Sequence, residues 1–161
     1  MMILGIDPGS RYCGYGLIQF EKSKVIAAGC DLIDVTRQAD LGQRLCLLYE
    51  TITGVIKEYK PDYAAIETMF FQKHIKSIFV LGHARGVILL ALAQQGIPIV
   101  EYSPREVKKA VVGTGNATKA QVRYMIHKLY PLSEKKLRDD AYDALAIATT
   151  HFNRIKWDKA K

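Results

Sequence analysis

The sequence predicts an α/β domain built on a five-stranded mixed sheet flanked by helices. Two short apolar runs, Met2–Ile6 and Tyr63–Ile66, each stop abruptly on a carboxylate, Asp7 and Glu67, as buried strands bounded by turn chemistry do. Between them lie two more strand-like runs and one helical stripe. A strand, a helix and a strand in that order form a right-handed parallel crossover. The crossover sets Glu67 beside Asp7 at one end of the sheet, the end where open α/β sheets gather their ligands.

Each element follows in order. After the Pro8-Gly9 turn, the runs 12–20 and 25–33, separated by the polar break Glu21-Lys22-Ser23-Lys24, complete an antiparallel meander with the first strand. Gly14 and Gly16 weaken their strand unless something approaches its backbone closely. Asp40 opens a helix, with Gln43 completing a capping-box-like pair. Leu41, Leu45, Leu48, Ile52 and Val55 form an amphipathic stripe that covers one face of the sheet. Pro61 precedes the strand that ends on Glu67, and a long helix follows over 73–95. Its Gly82, Ala84 and Gly86, set among Ile78, Phe79, Leu81, Leu89 and Leu90, suit close packing against the sheet or a partner subunit.

A fifth strand spans 97–101. Ser103-Pro104-Arg105-Glu106 then carries an N-cap, a proline at the first helical position and a capping Glu. Thr118-Lys119-Ala120-Gln121 opens the next helix, with Val122, Met125, Ile126 and Leu129 inward until Pro131. A charged loop over 133–138 leads to the last helix, expected over 139–153. Residues 1–155 form one domain and 156–161 a basic C-terminal tail.

Composition narrows the function. With 161 residues, 49% hydrophobic and 24% charged, the chain fits a single globular core and not a disordered segment. The longest uninterrupted apolar run, Val87 to Ala93, is shorter than a membrane span. No basic region precedes the first strand, so it does not read as a signal peptide, and cytoplasmic residence is expected. Cys13, Cys30 and Cys46 are odd in number and widely spaced, which fits neither a disulfide framework nor a zinc site; core thiols are expected. The net charge of +7 favours a polyanionic partner.

The last helix supplies the decisive chemistry. Asp140 and Asp143 are three residues apart and project from one face of its first turns. Ala141, Leu145, Ala146, Ile147 and Ala148 make the helix otherwise apolar, so packing it on the sheet carries both acids to the sheet's edge. Like charges brought together need a cation or a shared proton. Four acids from two strand ends and one helix suit two divalent hard cations, which can activate water and stabilise the leaving oxygen in an attack on phosphate. A βββαβαβ order with these placements is the pattern of the ribonuclease H fold.

Several motifs, in order over nearly the whole chain, resemble the RuvC family of Holliday junction resolvases. They are Ile3-Leu4-Gly5-Ile6-Asp7-Pro8-Gly9-Ser10, Ala65-Ile66-Glu67, Gly82-His83-Ala84-Arg85-Gly86-Val87, Gln121-Val122 and the stretch from Asp140-Ala141-Tyr142-Asp143 to Ala148. The resemblance implies a ribonuclease H-like, homodimeric, Mg2+-dependent endonuclease that nicks two opposed strands of a four-way DNA junction. It also implies partnership with the RuvA and RuvB branch-migration proteins. By the same resemblance, Asp7, Glu67, Asp140 and Asp143 match the metal-binding carboxylates, Phe70 an aromatic residue at the junction's crossing point, and Lys108 and Lys119 basic residues that meet the DNA backbone. The family's spacing selects Asp140 over its neighbour Asp139. Other nucleases of the same fold are the serious alternative, and two further rivals are weaker. The actin-like and sugar-kinase fold also opens on an Asp-x-Gly-Ser strand but needs a far longer chain, and a purely architectural DNA-binding protein has no reason to place four anions beside phosphates.

Overall fold

The computed structural model describes residues 1–68, 75–132 and 137–158. Ten elements follow in chain order: β1 (Met2–Asp7), β2 (Tyr12–Glu21), β3 (Lys24–Asp34), α1 (Leu41–Tyr59), β4 (Tyr63–Glu67), α2 (Ile75–Gln94), β5 (Ile99–Tyr102), α3 (Pro104–Val112), α4 (Lys119–Leu129) and α5 (Asp139–Asp158). The sheet order is β3-β2-β1-β4-β5. β1 pairs antiparallel with β2 and parallel with β4, and β4 pairs parallel with β5. This is the mixed five-stranded sheet the sequence predicts. β5 begins two residues later than expected because Pro98 has no N–H for the ladder; its carbonyl accepts from the Ala64 amide at 2.9 Å.

Alternation along the strands divides the core in two. Leu4 and Ile6 of β1 and Ala64 and Ile66 of β4 pack with Leu48, Ile52, Val55 and Ile56 of α1 and Ala84, Ile88, Ala91 and Leu92 of α2. On the other face, Ile3, Ile18, Phe20 and Ala65 pack with Val107, Val111, Val122, Ile126, Leu145 and Ile147. The helix starts are capped as their sequences require: Asp40 accepts from the Gln43 amide, and Ser103–Glu106 and Thr118–Gln121 form reciprocal boxes.

Four expectations need correction. Leu129 is 48% exposed, because the chain turns extended at Tyr130 and that ring fills the space instead, its hydroxyl 3.0 Å from Thr149 Oγ1. Only Cys13 is a buried thiol, while Cys30 is half-buried and Cys46 exposed. α5 runs to Asp158, three residues into the stretch expected to be a tail. Although no uninterrupted apolar run is long enough, α2 is by overall length and composition apolar enough to cross a membrane. Here it packs on α1 and the sheet through Ala84, Ile88, Ala91 and Leu92 and leaves Phe79 and Leu90 exposed.

Candidate functional site

The same alternation aims the acids. Ile3 and Tyr63 face the α5 side, so Asp7 and Glu67, an even number of residues on, face it too. The helix can reach them because the sheet beneath it has no side chains in the way. A Cβ on Gly5 would stand 2.2 Å from the Ala144 carbonyl oxygen, one on Gly14 1.9 Å from that of Asp140, and one on Gly16 2.5 Å from Leu145 Cα. Backbone therefore lies on backbone, and α5 starts directly over the strand ends. Asp7, Glu67, Asp140 and Asp143 line a single cleft together with Thr68, Arg85, Lys108 and Lys119.

Electrostatics in the cleft are strained toward a cation. Burial, and then the charges of Glu67, Asp143 and Asp140, push the Asp7 carboxyl well above the usual carboxylate range. Burial and Asp143 raise Glu67 as well, opposed by Lys119 and Lys108. Lys119 Nζ lies 2.8 Å from Asp143 Oδ2, and that hydrogen bond raises the lysine's own pKa. Arg138 Nε lies 3.3 Å from Asp140 Oδ2, with its guanidinium stacked 3.9 Å from the centre of the Tyr12 ring.

In type and number these oxygen donors fit hard divalent cations, which would offset the burial and acidic neighbours that push the Asp7 carboxyl up. As they stand, no three acid, imidazole or thiol groups among the described residues close on one point as a ligand shell. Asp140 and Asp143 are turned instead to Arg138 and Lys119. Both carboxylates are thus neutralised by basic partners rather than drawn together.

The two lysines singled out in the sequence both reach the cleft. Asp139 pairs with Arg123 at 2.9 Å and is not among the residues lining this cleft. Phe70 lies outside the described residues. Sequence reasoning passed over Arg138 and Arg85. Arg85 quoted within a glycine-rich motif gave no role, although a lone arginine inside so apolar a helix was the available signal.

An acid at the end of each of two adjacent parallel strands, a third and fourth on the helix that crosses them, and a basic rim make up one cleft on a ribonuclease H-like fold. A profile of the family described as Crossover junction endodeoxyribonuclease RuvC matches residues 3–151. The proteins of that description from Caulobacter vibrioides and Pelotomaculum thermopropionicum are 46% and 38% identical, over 94% and 99% of this chain and 89% and 97% of theirs. The structure of Thermus thermophilus RuvC in complex with Holliday junction substrate superposes with a TM-score of 0.89 at 28% identity, covering 98% of this chain and 96% of that one. The chain belongs to the RuvC family of crossover junction endodeoxyribonucleases.

Proposed function

We propose that this chain resolves four-way (Holliday) DNA junctions by paired symmetric nicks, hydrolysing phosphodiester bonds with two Mg2+ ions per subunit, in homologous recombination and DNA repair in the cytoplasm. The observation that carries the reading is the meeting of Asp7, Glu67, Asp140 and Asp143 in one cleft rimmed by Lys108 and Lys119. The structure of T. thermophilus RuvC in complex with Holliday junction substrate supports the choice of DNA.

The four carboxylates hold the metal, and Mn2+ substitutes for Mg2+. Ions held there would lower the pKa of a water and offset charge on the departing oxygen. The residues of the chain do the rest. Asp7 and Glu67, fixed at strand ends, give the site its rigid half, and Asp140 and Asp143 on α5 its adjustable half. Lys108 and Lys119 take the flanking phosphates. Phe70 stacks on a base at the crossover.

Paired nicks require two identical sites in a fixed relation, which a C2 homodimer provides most simply. The seam we propose is α2, where Phe79 is 66% exposed and Gly82 and Gly86 have open space before them. RuvA and RuvB are the expected partners in delivering the junction. The test sets a four-way junction against linear duplex and an RNA–DNA hybrid in Mg2+. Junction-selective cutting is expected, abolished by Asp7→Asn, Glu67→Gln, Asp140→Asn and Asp143→Asn with binding retained, and untouched by Asp139→Asn. Equal cutting of linear duplex refutes the reading. Gly82→Glu should yield monomers by light scattering that make single nicks only, because an unpaired carboxylate at a packed seam is strongly unfavourable.

A further inference from the structure

We infer that Arg85 is a positioning residue of the cleft, holding the end of β4 so that the Glu67 carboxylate keeps its place; the inference rests on the metal site proposed above. Arg85 is 8% exposed and sits in a helix whose buried neighbours are Ala84, Ile88, Ala91 and Leu92. A buried guanidinium is retained only when paired and fully hydrogen-bonded. Its two outer nitrogens serve different strands. Nη1 donates to the Glu67 carbonyl oxygen at 2.5 Å, and Nη2 lies 2.8 Å from Glu101 Oε2 on β5.

The Glu67 carbonyl needs a donor from outside the sheet. The last β1–β4 pair is Ile6 with Ile66, so Glu67 lies beyond it, and β1 gives way to Pro8, which has no N–H. On the other side the ladder makes one more bond, from the Thr68 amide to the Tyr102 carbonyl at 2.9 Å. β5 then gives way to Ser103 and Pro104. Arg85 is thus a side-chain rung added where both backbone ladders run out, at the residue whose carboxylate lines the cleft. Glu101 neutralises it from the neighbouring strand, and the planar fork sets the angle between the two contacts in a way a flexible ammonium cannot. Residues that orient metal ligands typically change metal affinity or activity 10–100-fold when removed.

The test is Mn2+ affinity by titration calorimetry on the full chain, beside junction-cleavage kinetics, at a temperature where wild type and variant are both folded by circular dichroism. Arg85→Met should weaken Mn2+ binding about 10–100-fold and lower kcat with KM for the junction unchanged. Arg85→Lys should recover part of both, and Glu101→Gln should fall between. A structural brace alone would lower melting temperature and leave Mn2+ affinity and kcat of the folded protein as in wild type; that result overturns the inference. Should Arg85→Met not fold, Arg85→Lys and Glu101→Gln decide it by the same readings. A wild-type protein that binds Mn2+ but cuts no junction refutes the proposed function instead, and the Arg85 comparison of affinities still stands.

Discussion

Gly14→Ala is the smallest change that should disable the cleft without touching an acid. The new Cβ would lie 1.9 Å from the Asp140 carbonyl oxygen, against an ordinary contact of 3.4 Å or more. β2 and the start of α5 must therefore separate by roughly 1.5 Å at the residue that carries a candidate ligand, since neither backbone can rotate out of the way. Working sites tolerate displacements of about 0.5 Å. Overpacking of this kind costs about 1–3 kcal/mol, or a fall of roughly 2–12 °C in melting temperature for a chain this long. The functional loss should exceed what that destabilisation explains: at 25 °C, with the protein folded, Mn2+ affinity and junction cleavage should both drop at least tenfold, the loss expected when ligand geometry is disturbed. Gly54→Ala on α1 is the control. Nothing lies within 4 Å of its added Cβ, and a mid-helix alanine should raise stability by about 0.5–1 kcal/mol. A Gly14→Ala protein with wild-type cleavage would show that close backbone contact is not what positions Asp140.

Other perturbations follow from the charges. Asp7 has a pKa raised by burial and its acidic neighbours, so the folded state holds its proton longer than the unfolded one; its contribution is most favourable below about pH 4 and is lost as pH rises toward the folded value. Asp7→Asn should accordingly raise the melting temperature in EDTA at pH 7, with the gain shrinking below pH 4; an unchanged or lower value at pH 7 contradicts the assignment of strain. His151 is shifted the other way, lowered first by burial and then by Arg154, with Nδ1 2.8 Å from the Tyr102 hydroxyl. Its contribution is complete above the unfolded value near 6.5 and is lost as pH falls below it. Thermal melts from pH 7.5 to 5 should show that acid limb, and His151→Gln should flatten it. Junction affinity should weaken steeply with salt, and Lys108→Ala or Lys119→Ala should each reduce the log–log slope by about one; an unchanged slope marks a lysine that touches no phosphate.

The elements were legible because their signals are local. Short apolar runs ending on Asp7 and Glu67, and the Ser103 and Thr118 boxes, carry their geometry in adjacent residues. Gly14 and Gly16 were legible as a question, strand glycines awaiting a close neighbour, and α5 is that neighbour. The role of Arg85 was not legible, since it depends on where α2 lies against β4 and β5, on the register that leaves Glu67 past its last pair with β1, and on Pro8 following that strand. Leu129 was misread for a related reason. Periodicity gives the inward face of α4 but not the point at which Tyr130 takes over from it.

The place of α5 in the chain has a consequence for synthesis. The helix follows every strand in sequence, yet it covers β1 and β2 and carries half of the cleft's acids. A ribosome delivers Asp7 well before Asp143, which lies on the last of the described elements. Until residues 139–158 have been made and have settled on the three glycines of the first hairpin, Asp7 and Glu67 stand without their counterparts, and the Ile3, Ile18 and Phe20 face of the sheet is uncovered. Chains lacking residues 139–158 should therefore fold poorly and fail to cut. Cutting at the proposed site thus waits until α5 has been made.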